Sequence, residues 1–334
     1  MKKMLWIDDE DSRMDLAKAI ADDLALECVY QPLEGAHSTA EKTMAEFEVI
    51  FIDHYFTKKI NERSAGSNMG ASLCSKFRLC CPDVPIFGIS AASGAQLSVN
   101  EKSEYDLFAT ESEYAGLRAC GKIKGAVDGF RHLRQLMTSG DVHDGEDFVG
   151  IVLAQFGAPP DDLSLMRKIL PSCLRSRETY NIHHAFQWMS TKFMQKDGIL
   201  IKTKSIAAMI GVKEAAFIAK IKPKIRDCRY QGVFAFGDDV FWRSLVFAKL
   251  ANLTENDGSI PLSHYCEKLA NISTEDYAVC ERCQKNYTEV LAYEDRTPAA
   301  RAFPAHLDCS IEVQEGQSLF FDSDYLLKES VGDE

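Results

Sequence analysis

Near the start of this chain, two short apolar runs are each followed directly by carboxylate side chains. Asp8 and Asp9 follow the first run, Asp53 follows the second, and Ser90 follows a third run. If these runs are strands of one parallel sheet, the four side chains lie beyond the carboxyl ends of the strands, where ligands bind in open α/β sheets. Three carboxylates that converge there form a hard-oxygen site suited to Mg²⁺.

The segments that position these side chains alternate between two patterns. Short apolar runs indicate strands that are buried on both faces of a parallel sheet, and the stretches between them have helical spacing. The predicted strands are residues 4–7, 28–30, 49–52, 84–89 and 105–109. The predicted helices are residues 12–26, 36–47, 71–80 and 126–137. This order predicts an α/β fold built on a doubly wound parallel sheet.

The order and spacing of these elements resemble the receiver domain of bacterial two-component response regulators, over about residues 1–138. The resemblance implies a flavodoxin-like fold in which Asp8, Asp9 and Asp53 hold Mg²⁺. It implies that Asp53 accepts a phosphoryl group and that Ser90 is the hydroxyl that contacts the phosphoryl oxygens. It further implies a sensor histidine kinase, or another protein, as the partner.

Two features depart from the receiver pattern. Receivers carry a lysine after the fifth strand, whereas Thr110 and Glu111 follow the predicted fifth strand here; Lys122 takes this role only if residues 117–120 form that strand. The segment after Asp53 is also enlarged and basic, with Lys58, Lys59 and Arg63. These departures leave open an alternative function, that of a pseudo-receiver adaptor that is not phosphorylated and scaffolds a larger protein assembly.

Composition limits the class of protein. The 334 residues predict two or three domains, and 46% hydrophobic with 26% charged residues is typical of a globular protein. No apolar stretch reaches the length of a membrane span, and 11 cysteines without a secretion signal predict reduced thiols in the cytoplasm. A nucleophile elbow, a Walker loop and a dinucleotide fingerprint are absent from the sequence, so we do not expect an enzyme.

The middle of the chain predicts a helical output region. A polar segment at 139–146 separates residues 1–140 from residues 147–255, and residues 203–222 have the pattern of a helix-turn-helix followed by a possible wing at 229–236. Between Lys192 and Arg229 there are ten basic and three acidic residues, although the net charge of the chain is −12. This excess predicts a phosphate-binding surface for DNA, and protein docking is the alternative.

A cysteine cluster near the C-terminus predicts a second metal site. Cys280 and Cys283 form a Cys-x-x-Cys pair, and His306 and Cys309 follow as His-x-x-Cys after 22 intervening residues. Two ligand pairs with this spacing are typical of a tetrahedral, structural Zn²⁺ site with no open position. We therefore expect a small zinc-binding α+β module over residues 260–330, with an acidic tail.

Overall fold

A five-stranded parallel sheet is formed by the N-terminal part of the chain, as the sequence predicts. Its strands are β1 (Lys3–Ile7), β2 (Glu27–Gln31), β3 (Phe47–Asp53), β4 (Ile86–Ser90) and β5 (Leu107–Thr110). The strand order is β2-β1-β3-β4-β5, and every neighbouring pair is parallel. This order defines the flavodoxin-like, doubly wound fold.

The computed structural model describes residues 2–32, 46–54, 69–90, 104–138, 148–195, 197–237, 239–255, 260–280, 284–285, 291–294 and 303–306. The predicted helix at 36–47 and the predicted linker at 139–146 fall almost wholly outside these ranges. The described helices that accompany the sheet are α1 (Met14–Leu24), α2 (Met69–Cys80), α3 (Glu111–Ala119) and α4 (Lys122–Thr138). Residues 117–120 are thus at the end of α3 and do not form a strand.

The strands are buried on both faces, which explains their continuous apolar runs. On one face, Leu5 and Ile50 belong to a core cluster that includes Leu73 and Phe77 of α2. On the other, the ring of Trp6 stacks on that of Phe51 with 5.0 Å between their centroids. Burying large apolar side chains in this way stabilises a fold by about 1.5–3 kcal/mol for each side chain.

Two later segments of the chain belong to the same compact unit as the sheet. This unit comprises Met1–Val149, Pro171–Gln187 and Val233–Gly237. Phe130 of α4 contacts both Phe186 and Phe234 ring to ring. Phe234 fits closely because α4 has a glycine beneath it: a Cβ atom on Gly129 would lie 2.1 Å from Phe234 Cδ1.

A polar cluster also ties the segment Pro171–Gln187 to the sheet. His183 Nδ1 lies 2.8 Å from Asp106 Oδ1, and its Nε2 lies 2.5 Å from the carbonyl oxygen of Pro82. Asp106 in turn accepts a hydrogen bond from the Ile86 backbone N–H at 2.8 Å and pairs with Arg78. His183 is therefore fixed by groups at the start of β4 and β5.

The second compact unit comprises Gly150–Leu170, Trp188–Gly232 and Asp238–Glu334. In the rest of the described chain, across both units, the α-helices are α5 (Phe148–Phe156), α6 (Leu163–Ile169), α7 (Ile182–Trp188), α8 (Thr203–Met209), α9 (Glu214–Lys220), α10 (Arg243–Leu253) and α11 (Tyr265–Lys268). The remaining strands are β6 (Leu200–Lys202), β7 (Val240–Trp242), β8 (Leu291–Glu294) and β9 (Phe303–His306), paired as β6–β7 and β8–β9. The core of the second unit includes Ile206, Phe217 and Leu250.

Candidate functional site

Three carboxylates converge at one edge of the parallel sheet. Asp8 and Asp9 follow β1, and Asp53 is the last residue of β3, which pairs directly with β1. All three side chains are buried, and each offers an oxygen atom within 4.8 Å of the others. The strand order reverses between β1 and β3, so the cluster lies at the position where doubly wound sheets bind ligands.

Asp8 is held in place by donors from its own neighbourhood. Its Oδ1 accepts the backbone N–H of Glu10 at 2.9 Å, and its Oδ2 accepts the indole N–H of Trp6 at 3.2 Å. Oδ2 also accepts a hydrogen bond from Arg13 Nη1 at 2.9 Å. These three donors fix the orientation of the Asp8 carboxylate.

Arg13 is a member of the cluster that the sequence analysis did not identify. A short 3₁₀ turn, Asp11–Arg13, directly precedes α1 and returns this side chain to the edge of the sheet. Arg13 Nη1 lies 3.2 Å from Asp53 Oδ2 as well as 2.9 Å from Asp8 Oδ2. Within the part of the chain that the structure describes, Arg13 is the one arginine or lysine that is buried.

The electrostatic balance at Arg13 favours its charged form. Burial acts to lower the pKa of Arg13, but the negative charges of Asp53 and Asp8, with their hydrogen bonds, raise it above its usual value. At the rim, Arg13 also faces Glu10 Oε2 at 3.7 Å and Glu111 Oε2 at 3.6 Å. Asp8 and Asp53 thus share one buried guanidinium, which balances part of the charge of the cluster.

The ends of β4 and β5 complete this edge of the sheet. Asp53 pairs with Ile89 in the register of β3 and β4, so Ser90 is the next residue along and is also buried. Ser90 in turn pairs with Thr110, the last residue of β5. Thr110 caps α3, because its Oγ1 accepts the backbone N–H of Glu113 at 3.3 Å. The residue that ends β5 is therefore a helix cap, and Lys122 begins α4.

Aromatic side chains lie behind Asp53. The hydroxyl of Tyr105 is 3.1 Å from Nδ1 of His54, and burial raises the pKa of Tyr105 above its usual value. A Cβ atom on Gly70, at the start of α2, would lie 2.4 Å from the carbonyl oxygen of Asp53. Glycine is therefore required where α2 approaches the end of β3. The predicted basic loop, residues 55–68, lies outside the described residues.

The predicted helix-turn-helix consists of α8 and α9, joined by a turn in which Gly211 has φ +74°. Several of its basic side chains bond to acidic residues or carbonyl groups of the same unit. Lys220 pairs with Asp276 at 2.6 Å, and Lys222 pairs with Asp239 at 2.7 Å. Such pairs reduce the positive charge that this surface offers to a phosphate backbone.

The predicted wing has a different environment from that of a DNA-contacting hairpin. Tyr230 N–H donates to the Val240 carbonyl at 2.9 Å, so the segment does return alongside β7. Further along, however, Phe234 is buried against Phe130 and Phe186 in the first unit. A buried Phe234 leaves this part of the segment unable to enter a DNA groove.

The predicted zinc ligands are described only in part. Cys280 is buried, and its backbone forms a turn in which its N–H donates to the Lys285 carbonyl at 3.1 Å. His306 ends β9, opposite Leu291 of β8. Cys283 and Cys309 lie outside the described residues. In the described ranges, the one group of acidic, histidine or cysteine side chains close enough to share a metal is Asp8, Asp9 and Asp53.

No protein-family model matches this sequence, and none of the curated proteins is similar to it. Among solved structures, a CheY-like receiver domain from Methanospirillum hungatei JF-1 is 15% identical, with 40% of this chain and 98% of that chain covered and a TM-score of 0.29. TrrA of Thermotoga maritima, in complex with Mg²⁺ and BeF, is 16% identical, with 36% and 98% covered and a TM-score of 0.27. NtrX from Brucella abortus is 16% identical, with 52% and 41% covered and a TM-score of 0.33.

The described helices include none that is both long and apolar enough to cross a membrane.

Proposed function

We propose that the first unit is a receiver-type signalling switch in which Asp53 accepts a phosphoryl group. The observation that carries this proposal is the convergence of Asp8, Asp9 and Asp53. All three are buried, and they lie within 4.8 Å of one another at the edge of the sheet where the strand order reverses. A buried cluster of three carboxylates needs compensating positive charge, which a divalent cation supplies. The donor set of three hard oxygens fits Mg²⁺, and these three residues would hold it.

Each residue has a defined role in the proposed reaction. A carboxylate oxygen of Asp53 attacks the phosphorus of a phosphohistidine on a partner kinase. An O–P bond forms and the N–P bond breaks, and the imidazole nitrogen keeps the electron pair of that bond and takes a proton from water. Bound Mg²⁺ supplies charge neutralisation for the phosphoryl oxygens. Ser90, at the neighbouring strand end, donates its hydroxyl to a phosphoryl oxygen.

Phosphorylation would add charge beside an aromatic cluster. Tyr105 and Phe108 pack on each other and on the ring of His54, which directly follows Asp53. A shift of Ser90 toward the phosphoryl group would change the space available to these rings, and new charge at a buried site commonly reorders its surroundings. We propose that this change is what an output partner reads.

The test is the intact mass of the protein after incubation with acetyl phosphate and Mg²⁺. We expect one phosphoryl adduct on the wild type and none on Asp53→Asn, which keeps the shape of the side chain. Asp128→Asn, a change of the same type on the exposed face of α4, serves as the control and should keep the adduct. An adduct that persists in Asp53→Asn would exclude Asp53 as the acceptor.

A second candidate function is that of a pseudo-receiver adaptor, and a specific observation favours it. The guanidinium of Arg13 already contacts both Asp8 and Asp53, and Thr110 and Glu111 stand where receivers place their lysine. In this alternative the unit binds partner proteins without phosphorylation. Failure of acetyl phosphate to give an adduct, together with no rise in Tm on addition of beryllofluoride and Mg²⁺, would favour the adaptor.

The C-terminal residues Cys280, Cys283, His306 and Cys309 are proposed to hold a structural Zn²⁺ ion. The support is their spacing and the backbone turn at Cys280. Native mass spectrometry of the full chain should show one zinc atom, which Cys280→Ser should remove. A metal-free wild type would overturn this proposal.

For the output we propose a protein partner in preference to DNA. The support is that Lys220 and Lys222 are paired within their own unit, and that α9 presents the apolar Ile218 to solvent. Side chains that read bases are typically arginine, asparagine or glutamine. A mobility shift of random duplex DNA at low salt that disappears in Lys213→Ala would instead establish the DNA surface.

A further inference from the structure

Arg13 occupies the position between two of the three carboxylates of the acidic cluster. A single atom, Nη1, lies 2.9 Å from Asp8 Oδ2 and 3.2 Å from Asp53 Oδ2. Only 3% of the Arg13 side chain, 1% of Asp53 and none of Asp8 is exposed to solvent. This nitrogen therefore stands where a cation shared by Asp8 and Asp53 would stand.

A magnesium ion held by Asp8 and Asp53 would compete with this guanidinium nitrogen for the same two oxygens. Mg²⁺ requires its oxygen ligands at about 2.0–2.1 Å in near-octahedral geometry. An ion held by Asp8 and Asp53 would lie close to Nη1 and would repel its positive charge. Displacement of Arg13 from the two aspartates would relieve this repulsion.

Two glutamates at the rim of the site also contact Arg13. Glu10 Oε2 lies 3.7 Å from Nη2, and Glu111 Oε2 lies 3.6 Å from Nε. Both glutamates are at the rim of the site, with 40% and 53% of their side chains exposed. If the arginine left the two buried aspartates, these glutamates would still balance its charge.

We propose that Arg13 is an intramolecular cation that competes with Mg²⁺ for Asp8 and Asp53 and moves to Glu10 and Glu111 when the metal binds. This inference rests on the proposed magnesium site and adds a residue that sets its affinity. If Arg13 occupies the cluster in most molecules, only the remaining fraction, in which Arg13 is displaced, can bind the metal. The apparent dissociation constant for Mg²⁺ is raised by the reciprocal of that fraction.

The test is titration of the full chain with Mg²⁺, monitored by calorimetry and by tryptophan fluorescence. Fluorescence reports on the site because the Trp6 indole N–H donates a hydrogen bond to Asp8. We expect Arg13→Met to bind Mg²⁺ about tenfold more tightly than the wild type. The double variant Arg13→Met, Asp53→Asn should lose most of this gain. Arg118→Met, which removes an arginine paired with Asp23 on the surface, is the matched control and should bind as the wild type does.

A second variant keeps the test decisive if Arg13→Met does not fold. Glu111→Gln changes an exposed residue and removes one alternative partner of Arg13, so it should weaken the binding of Mg²⁺. Equal affinity in the wild type, Arg13→Met and Glu111→Gln would overturn the role of Arg13 and leave the magnesium site intact. Absence of Mg²⁺ binding in both the wild type and Arg13→Met would overturn the magnesium site itself, and the competition with it.

Discussion

At the scale of single residues, the acidic cluster depends on one buried arginine, Arg13, which is ion-paired with two aspartates. Removing one partner of a buried ion pair typically destabilises a protein by about 3–5 kcal/mol, because the remaining charge loses its compensation. Arg13 serves two aspartates at once, and both are buried. The stability of the fold and the chemistry of the site are therefore coupled through this residue.

The first prediction concerns the stability of Arg13→Met. In the presence of EDTA we expect the free energy of unfolding to fall by about 3–5 kcal/mol, because Asp8 and Asp53 lose their shared cation. Addition of Mg²⁺ should restore part of the loss. Urea denaturation followed by circular dichroism measures both values. A loss below about 1 kcal/mol, the value typical of an exposed ion pair, would show that the pair contributes little.

The second prediction concerns thiol chemistry and pH. Burial raises the pKa of both Cys74 and Cys81 to about 12, so at pH 8 only about one in ten thousand of these thiols is ionised. The thiolate is the reactive form, so alkylation of the native protein should be slow at pH 8 and should rise as the pH increases. Cys80 and Cys120, which are exposed, should react first.

Peptide mapping after iodoacetamide treatment gives the order of reaction. Modification of Cys74 as fast as that of Cys120 would mean that α2 opens readily in solution.

At the scale of secondary structure, helix α4 is adapted to the segment that packs on it. A Cβ atom on Gly125 would lie 2.3 Å from the carbonyl oxygen of Ala235, a backbone atom that cannot rotate away. In the middle of an exposed helix, alanine is more stable than glycine by about 0.5–1 kcal/mol. Close packing at Gly125 reverses this preference.

The third prediction compares two glycine substitutions. Gly125→Ala should destabilise the protein by about 1–3 kcal/mol, because the added methyl group overpacks the contact with Ala235. Gly116→Ala in α3 is the matched control: apart from its chain neighbours and the backbone of its own helix, no atom lies within 4 Å of the new Cβ position, so it should stabilise the protein by about 0.5–1 kcal/mol. Thermal unfolding of both variants gives the comparison, and stabilisation by Gly125→Ala would contradict the observed contact.

The strands of the sheet and the acidic residues were predictable from the sequence for physical reasons. A parallel strand buried on both faces is a continuous apolar run, so the runs ending at Ile7, Ile52 and Ile89 mark β1, β3 and β4 directly. The position of Asp53 followed from that pattern alone. Arg13 did not, because a charged residue at the start of a helix has the same sequence pattern whether its side chain points to solvent or to the sheet.

At the scale of the whole chain, the sheet unit includes residues that sequence analysis placed in the helical region. The predicted first domain ends at residue 140, whereas the segments Pro171–Gln187 and Val233–Gly237 belong to the same compact unit as the sheet. Such long-range contacts have no local sequence signal, since Phe186 and Phe234 have the apolar character of any core residue. The pairing of His183 with Asp106 is equally invisible to a local pattern.

The fourth prediction concerns a fragment of residues 1–140. It lacks Phe186 and Phe234, which contact Phe130, and His183, which pairs with Asp106, so an aromatic surface that is covered in the full chain becomes exposed. We expect the fragment to unfold at a lower urea concentration than the same residues in the full chain and to bind a hydrophobic dye. Hydrogen exchange at the amides of α4 measures the difference, and equal protection in both would show that the later segments contribute little.

The contact between His183 and Asp106 joins residues 77 positions apart, and this separation has a consequence for synthesis. Ribosomes add about 5–20 residues per second, so His183 is made about 4–15 s after Asp106. Until the later segments have been added, Asp106 lacks His183 and Phe130 lacks Phe186 and Phe234, so this part of the nascent chain is available to chaperones and to neighbouring nascent chains. The rate of translation through residues 140–240 should therefore influence how much of this protein reaches its folded state.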